Sequence, residues 1–211
     1  NMSLVSNLFI IFVAGAVLLY YLLPKKMRWW GLLLTSYIYY LAAGTKYFPF
    51  LLFSTIITYL CGLAIEHEVN QDKKKAKRYL IIGLILNFGM QILLPLGISF
   101  YTFQTSGYLL DIYWKRDHAE KNIFRYALFV SYFPQILQGP IGRHSRLAEQ
   151  LYEGHSFDLQ RICRGIQRIF WGFFKKMILA DWSAVFVDAI FGNPDQYNGL
   201  AIFGVLFYSM R

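Results

Sequence analysis

The chain has 211 residues, of which 56% are hydrophobic, 19% aromatic and 16% charged, with a mean hydropathy of +0.38 and a formal charge of +9. So apolar a composition excludes an ordinary soluble domain of this length and predicts an all-α, polytopic transmembrane helical protein, because a helix needs about 20 mostly apolar residues to cross the hydrocarbon. The positive charge belongs to cytoplasmic loops and lipid headgroups rather than to nucleic acid, and Cys61 and Cys163, far apart and outside any CxxC or CxxH pattern, are free thiols rather than a disulfide framework or metal ligands.

The first expected span, 4–23, ends at Pro24 and the cluster Lys25, Lys26 and Arg28, and it lacks the small-residue cleavage site of a signal peptide. A second, shorter span, 29–43, opens on the interfacial pair Trp29–Trp30, and a turn around Gly44–Lys46 leads to the third, 48–65. EHEVNQDKKKAKR, residues 66–78, is the most hydrophilic stretch and reads as a loop. A fourth span, 79–94, stops at Pro95, and a fifth runs over 96–114. Lysine and arginine crowd the loops after the first, third and fifth spans, whereas the loop after the second has only Lys46, so the positive-inside rule places the N-terminus outside.

The alternation fails after the fifth span. Residues 122–137 are apolar enough to cross, yet Arg143, Arg146, Arg161, Arg164 and Arg168 follow them. Basic residues on both flanks predict a re-entrant element over 122–142, with Pro134, Gly139, Pro140 and Gly142 allowing the turn in SYFPQILQGPIGR. Such an element exposes helix-end backbone groups, which is tolerable only inside protein or beside water. RICRGIQRIFWGFFKK, 161–176, places Arg161, Arg164, Arg168 and Lys175 on one helical face and Ile162, Ile166, Ile169, Phe170 and Phe173 on the other, the pattern of an interfacial amphipathic helix. A last span begins at 199 and is cut off at Arg211. The sequence is therefore expected to be a fragment, a single membrane domain over 1–211.

Polar residues inside the apolar runs are the candidates for chemistry. Ser99, Thr102 and Ser106 share a face of the fifth span, where hydroxyls usually bond to backbone carbonyls or pack against a neighbouring helix. Gln104 needs partners in hydrocarbon, and Asn87 and Gln91 are candidates; Asp111 is expected to pair with Lys115 four residues on. His67 and His118 lie in charged loops and read as solvated, His155 lies in a loop that caps the amphipathic helix, and His144 follows the GPIGR break and is the histidine placed to line a site. HExxH, GxSxG and phosphate-loop patterns are absent from the sequence, so these residues alone assemble no catalytic or metal centre. They leave open a transporter or flippase, an enzyme working in lipid, and a non-catalytic membrane subunit.

Three segments narrow this choice. LPLGISFYTFQTSGYLLDIY (94–113), SYFPQILQGPIGR (131–143) and WGFFKKMILAD (171–181) resemble, in order and spacing, the membrane-bound O-acyltransferase family, in its bacterial branch of alginate and cell-wall polysaccharide O-acetyltransferases. The sibling branch that transfers D-alanine towards teichoic acids shares GIS-x-x-TF and GPI-x-R, but differs ahead of GPI, so the wording here favours O-acetylation. The resemblance implies a multi-pass protein of the bacterial cytoplasmic (inner) membrane. It would move an acetyl group from a cytoplasmic thioester donor, acetyl-CoA or an acyl carrier, to a polysaccharide hydroxyl, with no bound cofactor or metal. It also implies a catalytic histidine beyond this sequence, so that no catalytic residue lies in this chain. The half present supplies tunnel wall, with Tyr101, Gln104, Gln135, Gln138, Arg143 and His144 as polar lining and Arg143 placed to meet a donor phosphate. Membrane lipid, the acyl donor and a secreted or periplasmic acyltransferase are the implied partners.

Overall fold

The computed structural model describes residues 7–43, 48–93, 99–136, 142–192, 199 and 201–210; among them every regular element is helical. The chain divides into two compact units, Asn1–Ser156 and Phe157–Arg211. The first contains α1 (Asn7–Leu22), a 3-10 turn (Lys25–Met27), α2 (Arg28–Ala43), α3 (Phe48–Glu68), α4 (Lys73–Leu93), α5 (Ser99–Tyr113), α6 (Ile123–Ser131), α7 (Phe133–Ile136) and α8 (His144–Tyr152). The second contains α9 (Leu159–Phe174), a π-type turn (Lys175–Ala180), α10 (Asp181–Gly192) and α11 (Ala201–Met210). Among the described residues one helix, α3, is long and apolar enough to cross a membrane by length and composition, and α1 contains a shorter apolar stretch, Leu8–Leu22.

The hydrophilic stretch over residues 66–78 is not a loop. Helix α3 continues to Glu68 and α4 begins at Lys73, so only four residues turn the chain. Asp72 explains the early start: its carboxylate accepts from the backbone N–H groups of Lys74 (2.9 Å) and Lys75 (3.2 Å), satisfying donors that a helix N-terminus leaves orphaned. The lysines of α4 then stand on a helix rather than in a flexible connection. Asp158 caps α9 in the same way, accepting from the Arg161 N–H.

Helix α6 is the centre of the first unit. It has nine residues, and Tyr126, Ala127, Leu128, Phe129, Val130 and Ser131 are consecutively buried. A helix apolar and covered on all sides is an interior element. Its Tyr126, Phe129 and Val130 join Leu51 and Ile65 of α3, Leu80 of α4 and Tyr108, Leu109 and Ile112 of α5 in one core. Ala127 and Leu128 face the other way, onto Trp29 and Leu33 of α2 and Leu151 of α8. Phe133 of α7 completes a third cluster with Ala16 and Tyr39.

Hydrogen bonds fix the packing of polar side chains among these helices. Tyr126 donates to the Thr58 hydroxyl (2.8 Å), Thr58 donates to the Ser54 carbonyl (2.6 Å), and the Ser54 hydroxyl donates to Asn87 Oδ1 (2.6 Å), linking α6, α3 and α4. Asn87 therefore serves Ser54 rather than Gln104, and the side chain of Gln91 lies outside the described residues. Gln104 instead donates to the Phe129 carbonyl at 3.0 Å. Other hydroxyls fold back onto their own helix, Thr105 onto the Tyr101 carbonyl (2.8 Å) and Thr55 onto that of Leu51 (2.7 Å).

Two arginines tie the ends together. Arg28 lies over the rings of Tyr20 and Tyr21 and donates to the carbonyls of Leu23 and His155. Arg125 lies over Trp29 and Tyr152, while the Tyr152 hydroxyl donates to the Arg125 carbonyl (2.8 Å). Helix α3 meets α5 through Gly62, where an added Cβ would stand 3.0 Å from the Tyr108 ring and 3.3 Å from Ile112. Small residues permit this approach of two apolar helices. Gly62→Val is expected to destabilise the bundle by about 1–3 kcal/mol through overpacking, measured as a lower midpoint of thermal unfolding of the purified protein.

Candidate functional site

The site forms between the end of α5 and residues 142–144 that lead into α8. Helix α5 closes by a tight pair of backbone bonds: the Arg116 N–H donates to the Asp111 carbonyl (2.8 Å) and the Lys115 N–H to that of Ile112 (2.9 Å). This is the Schellman closure, and its left-handed position is held by Lys115 at φ 57° rather than by glycine. Lys115 does not pair with Asp111: its ammonium donates to Asn70 Oδ1 at 2.5 Å. The left-handed residue swings the chain away from the α5 axis, out of reach of the carboxylate one turn back.

Beyond that turn, Trp114 and Arg116 stack (4.9 Å from guanidinium carbon to ring centroid) and line a cleft of about 230 Å³ with Gln104, Asp111 and Arg143. Arg143 and Gly142 also line a second, more open cleft of about 590 Å³, with Gln135, Arg146 and Gln150. Gly142 has a steric reason to be glycine, since a Cβ there would lie 3.0 Å from Gln135 Oε1 and 3.2 Å from Leu147. Thus of the sequence-predicted lining residues, Gln104, Gln135 and Arg143 fall on these two clefts, and Arg143 stands between them. Tyr101 is buried, its hydroxyl has no partner among the described residues, and it lines neither cleft. Gln138, with Gly139 and Pro140, lies outside the described residues.

His144 lines neither cleft either, but it is not idle. Its Nδ1 lies 2.9 Å from Asp117 Oδ2, with side-chain exposures of only 8% and 12%. The other oxygen, Oδ1, accepts from the His118 backbone N–H (2.8 Å). Burial alone raises the Asp117 carboxyl, but the His144 hydrogen bond and charge, with the His118 N–H, outweigh it and hold the group below its ordinary value. An ionised carboxylate only accepts, so the proton of this bond sits on His144 Nδ1. Nε2 is buried with no hydrogen-bond partner among the described residues, and the ring packs edge-on with Tyr108 and Phe129, each 4.9 Å away. Of the other histidines, His118 is not simply solvated: it is open to solvent yet bonded to Glu66 (3.1 Å). His67 lies 3.4 Å from Glu68 and is mostly exposed.

No local pattern marks Asp117 or Arg116. They sit in WKRDHAEK, which looks like any charged loop, and the partner of Asp117 is 27 residues away.

Comparison with known proteins gives the class. The chain is 31% identical to the probable alginate O-acetylase AlgI of Pseudomonas fluorescens over 221 residues, covering 98% of this chain and 44% of that protein. It is 32% identical to the probable alginate O-acetylase AlgI of Pseudomonas aeruginosa over 239 residues (98% and 45%) and 29% identical to a peptidoglycan O-acetyltransferase of Helicobacter pylori over 216 residues (78% and 40%). The relatives that match over 98% of this chain are of the membrane-bound O-acyltransferase family. The chain spans about half the length of the curated relatives it matches. No family model and no solved structure matches it. Of the three motif segments, the first supplies Gln104, Asp111 and the α5 terminus, and the second supplies Gln135, Gly142 and Arg143, so the family resemblance and the two clefts coincide.

The Asp117–His144 pair makes a checkable statement about pH. A carboxylate held below its ordinary value in the folded protein adds stability that is fully present above about pH 4, the unfolded value, and is lost as the pH falls through the depressed folded value. Wild-type protein is therefore expected to lose more thermal stability between pH 6 and pH 3 than an Asp117→Asn variant; equal losses would remove Asp117 from the account.

Proposed function

We propose that this chain is the N-terminal part of a polysaccharide O-acetyltransferase of the bacterial cytoplasmic membrane, and that its clefts belong to the wall of the acyl-transfer passage. The observation that carries the reading is a polar cleft with two arginines, set where a buried helix stops short, in a chain whose relatives are named alginate and peptidoglycan acetylases. The acceptor is then a hydroxyl of an extracellular or cell-wall polysaccharide, and the donor a cytoplasmic acetyl thioester. In the transfer the acceptor oxygen bonds to the thioester carbonyl carbon, the C–S bond breaks, the thiolate leaves and a base takes the hydroxyl proton. A thioester is a good acyl donor and a hydroxyl a poor nucleophile, so positioning and proton removal carry the catalysis. The residues here position; the base is assigned to a histidine outside this chain.

Helix α6 supports a re-entrant reading of 122–142. Nine residues rise about 14 Å, half the hydrocarbon thickness, and from Tyr126 onward α6 is enclosed by α2, α3, α5 and α8. On this reading the spans 4–23, 29–43, 48–65, 79–94 and 96–114 enclose it, the N-terminus is outside, and α9 lies in the cytoplasmic interface. The exposed Ile166, Ile169 and Phe170 of α9, opposite its arginines, are suited to the headgroup boundary. A periplasmic acyltransferase partner would act on the outer side.

Two measurements test this. In the full-length protein, Arg143→Ala is expected to lower polymer-bound acetate about tenfold or more, the scale of a lost charge-assisted contact to a phosphate; unchanged acetylation would remove the cleft from the reaction. In a background lacking Cys61 and Cys163, Lys74→Cys is expected to react with an impermeant maleimide only after the membrane is opened, and Lys46→Cys in intact spheroplasts; the reverse pattern inverts the topology.

A further inference from the structure

Each partner of the buried Asp117–His144 bond directly follows an arginine, Arg116 in one case and Arg143 in the other, and both arginines line the same cleft. We propose that this bond is a positioning clamp that holds Arg116 and Arg143 in one cleft, and that the cleft takes a phosphate-bearing ligand. The inference deepens the reading of Arg143 as a donor contact and rests on it. Two guanidinium groups sharing a small cleft repel, and among the described residues Asp111 is the one carboxylate lining it, so the cleft is net positive and its walls must be held from behind.

The holding is visible on both sides. On the loop side, the Glu120 N–H donates to the Tyr108 hydroxyl (2.9 Å) and the Ala119 N–H to Glu66 (3.2 Å), while Asp117 Oδ1 takes the His118 N–H (2.8 Å). On the other side, His144 is the first residue of α8, whose Ala148 and Leu151 are buried. The bond between the two sides is shielded from water, where a charge-assisted contact is stronger than its exposed counterpart. The imidazole is wedged against Tyr108 and Phe129 and does not line the cleft, so it acts through Arg143 rather than on a ligand. This makes His144 a positioning residue and not a catalytic one.

The test is binding of inorganic pyrophosphate to the full-length protein, in detergent and in phosphatidylglycerol nanodiscs. In detergent, His144→Ala and Asp117→Ala are each expected to weaken binding about tenfold. His144→Asn, whose amide nitrogen can replace Nδ1, is expected to stay within about threefold of wild type. The double variant Arg143→Ala/His144→Ala should bind no more weakly than Arg143→Ala, since the clamp works through that arginine. Loss of binding in nanodiscs assigns the cleft to lipid headgroup phosphate, and retention to a soluble ligand; both support a phosphate site. Wild-type affinity in His144→Ala and Asp117→Ala overturns the clamp, as does an Asn variant as weak as the Ala variant. A protein that needs Arg143 for acetylation but binds no pyrophosphate overturns this inference and leaves the acyltransfer reading standing; binding that follows the clamp without any acetylation does the reverse.

Discussion

The structure of the first unit depends on one constraint: α6 is short, buried on every side from Tyr126 to Ser131, and still must satisfy the backbone groups at both its ends. A helix leaves its first N–H and last C=O groups unpaired, and in an apolar interior no water is present to take them. At the start of α6 the Asn122 side chain accepts from the Phe124 N–H (2.9 Å), and Glu120 accepts from the Asn122 N–H (3.0 Å). At the end, Gln104 reaches across from α5 to the Phe129 carbonyl, and the Ser36 hydroxyl of α2 accepts from the Phe133 N–H (3.3 Å). The polar residues of the surrounding helices are thus distributed by where α6 begins and stops.

This constraint also gives Gln104 two duties. Its amide nitrogen serves the Phe129 carbonyl, while the residue also lines the cleft beside Arg143. A residue that both holds a buried helix end and faces a cavity couples the cavity shape to the backbone behind it. Gly142 acts similarly from the other wall: with no Cβ, it admits the Gln135 amide at close range, which brings the residues on either side of the break together. The clefts are therefore built from backbone irregularity, and their polar lining is partly the set of groups that the irregularity required.

How much of this the sequence displays depends on the range of each interaction. The apolar runs over 4–23, 29–43 and 48–65 are legible because burial in lipid or in a bundle is a local average over many residues. Asp72 hides the helical start at Lys73 because a run of lysines suggests a loop on composition alone, while one capping carboxylate suffices to begin a helix. Gln104, Gln135 and Arg143 could be singled out because polar groups beside prolines and glycines are costly in apolar surroundings unless a cavity or a partner is near. The partner of Gln104 could not, because a main-chain carbonyl carries no mark in the sequence. Nor could Asp117, whose role exists only through a histidine 27 residues on.

Lys115 shows what the site costs. For an L-residue the left-handed conformation is worse by about 1–2 kcal/mol, and glycine would adopt it freely at that closure. Lysine at φ 57° recovers part of this through its bond to Asn70, which anchors the end of α5 to the turn between α3 and α4. The same turn sends Arg116 to the cleft and Asp117 to His144. Strain held in one backbone residue by its neighbours on both sides is what fixes the direction of the loop. A glycine there would make the closure easier and the direction less certain, and the two arginines need the direction more than the bundle needs the stability.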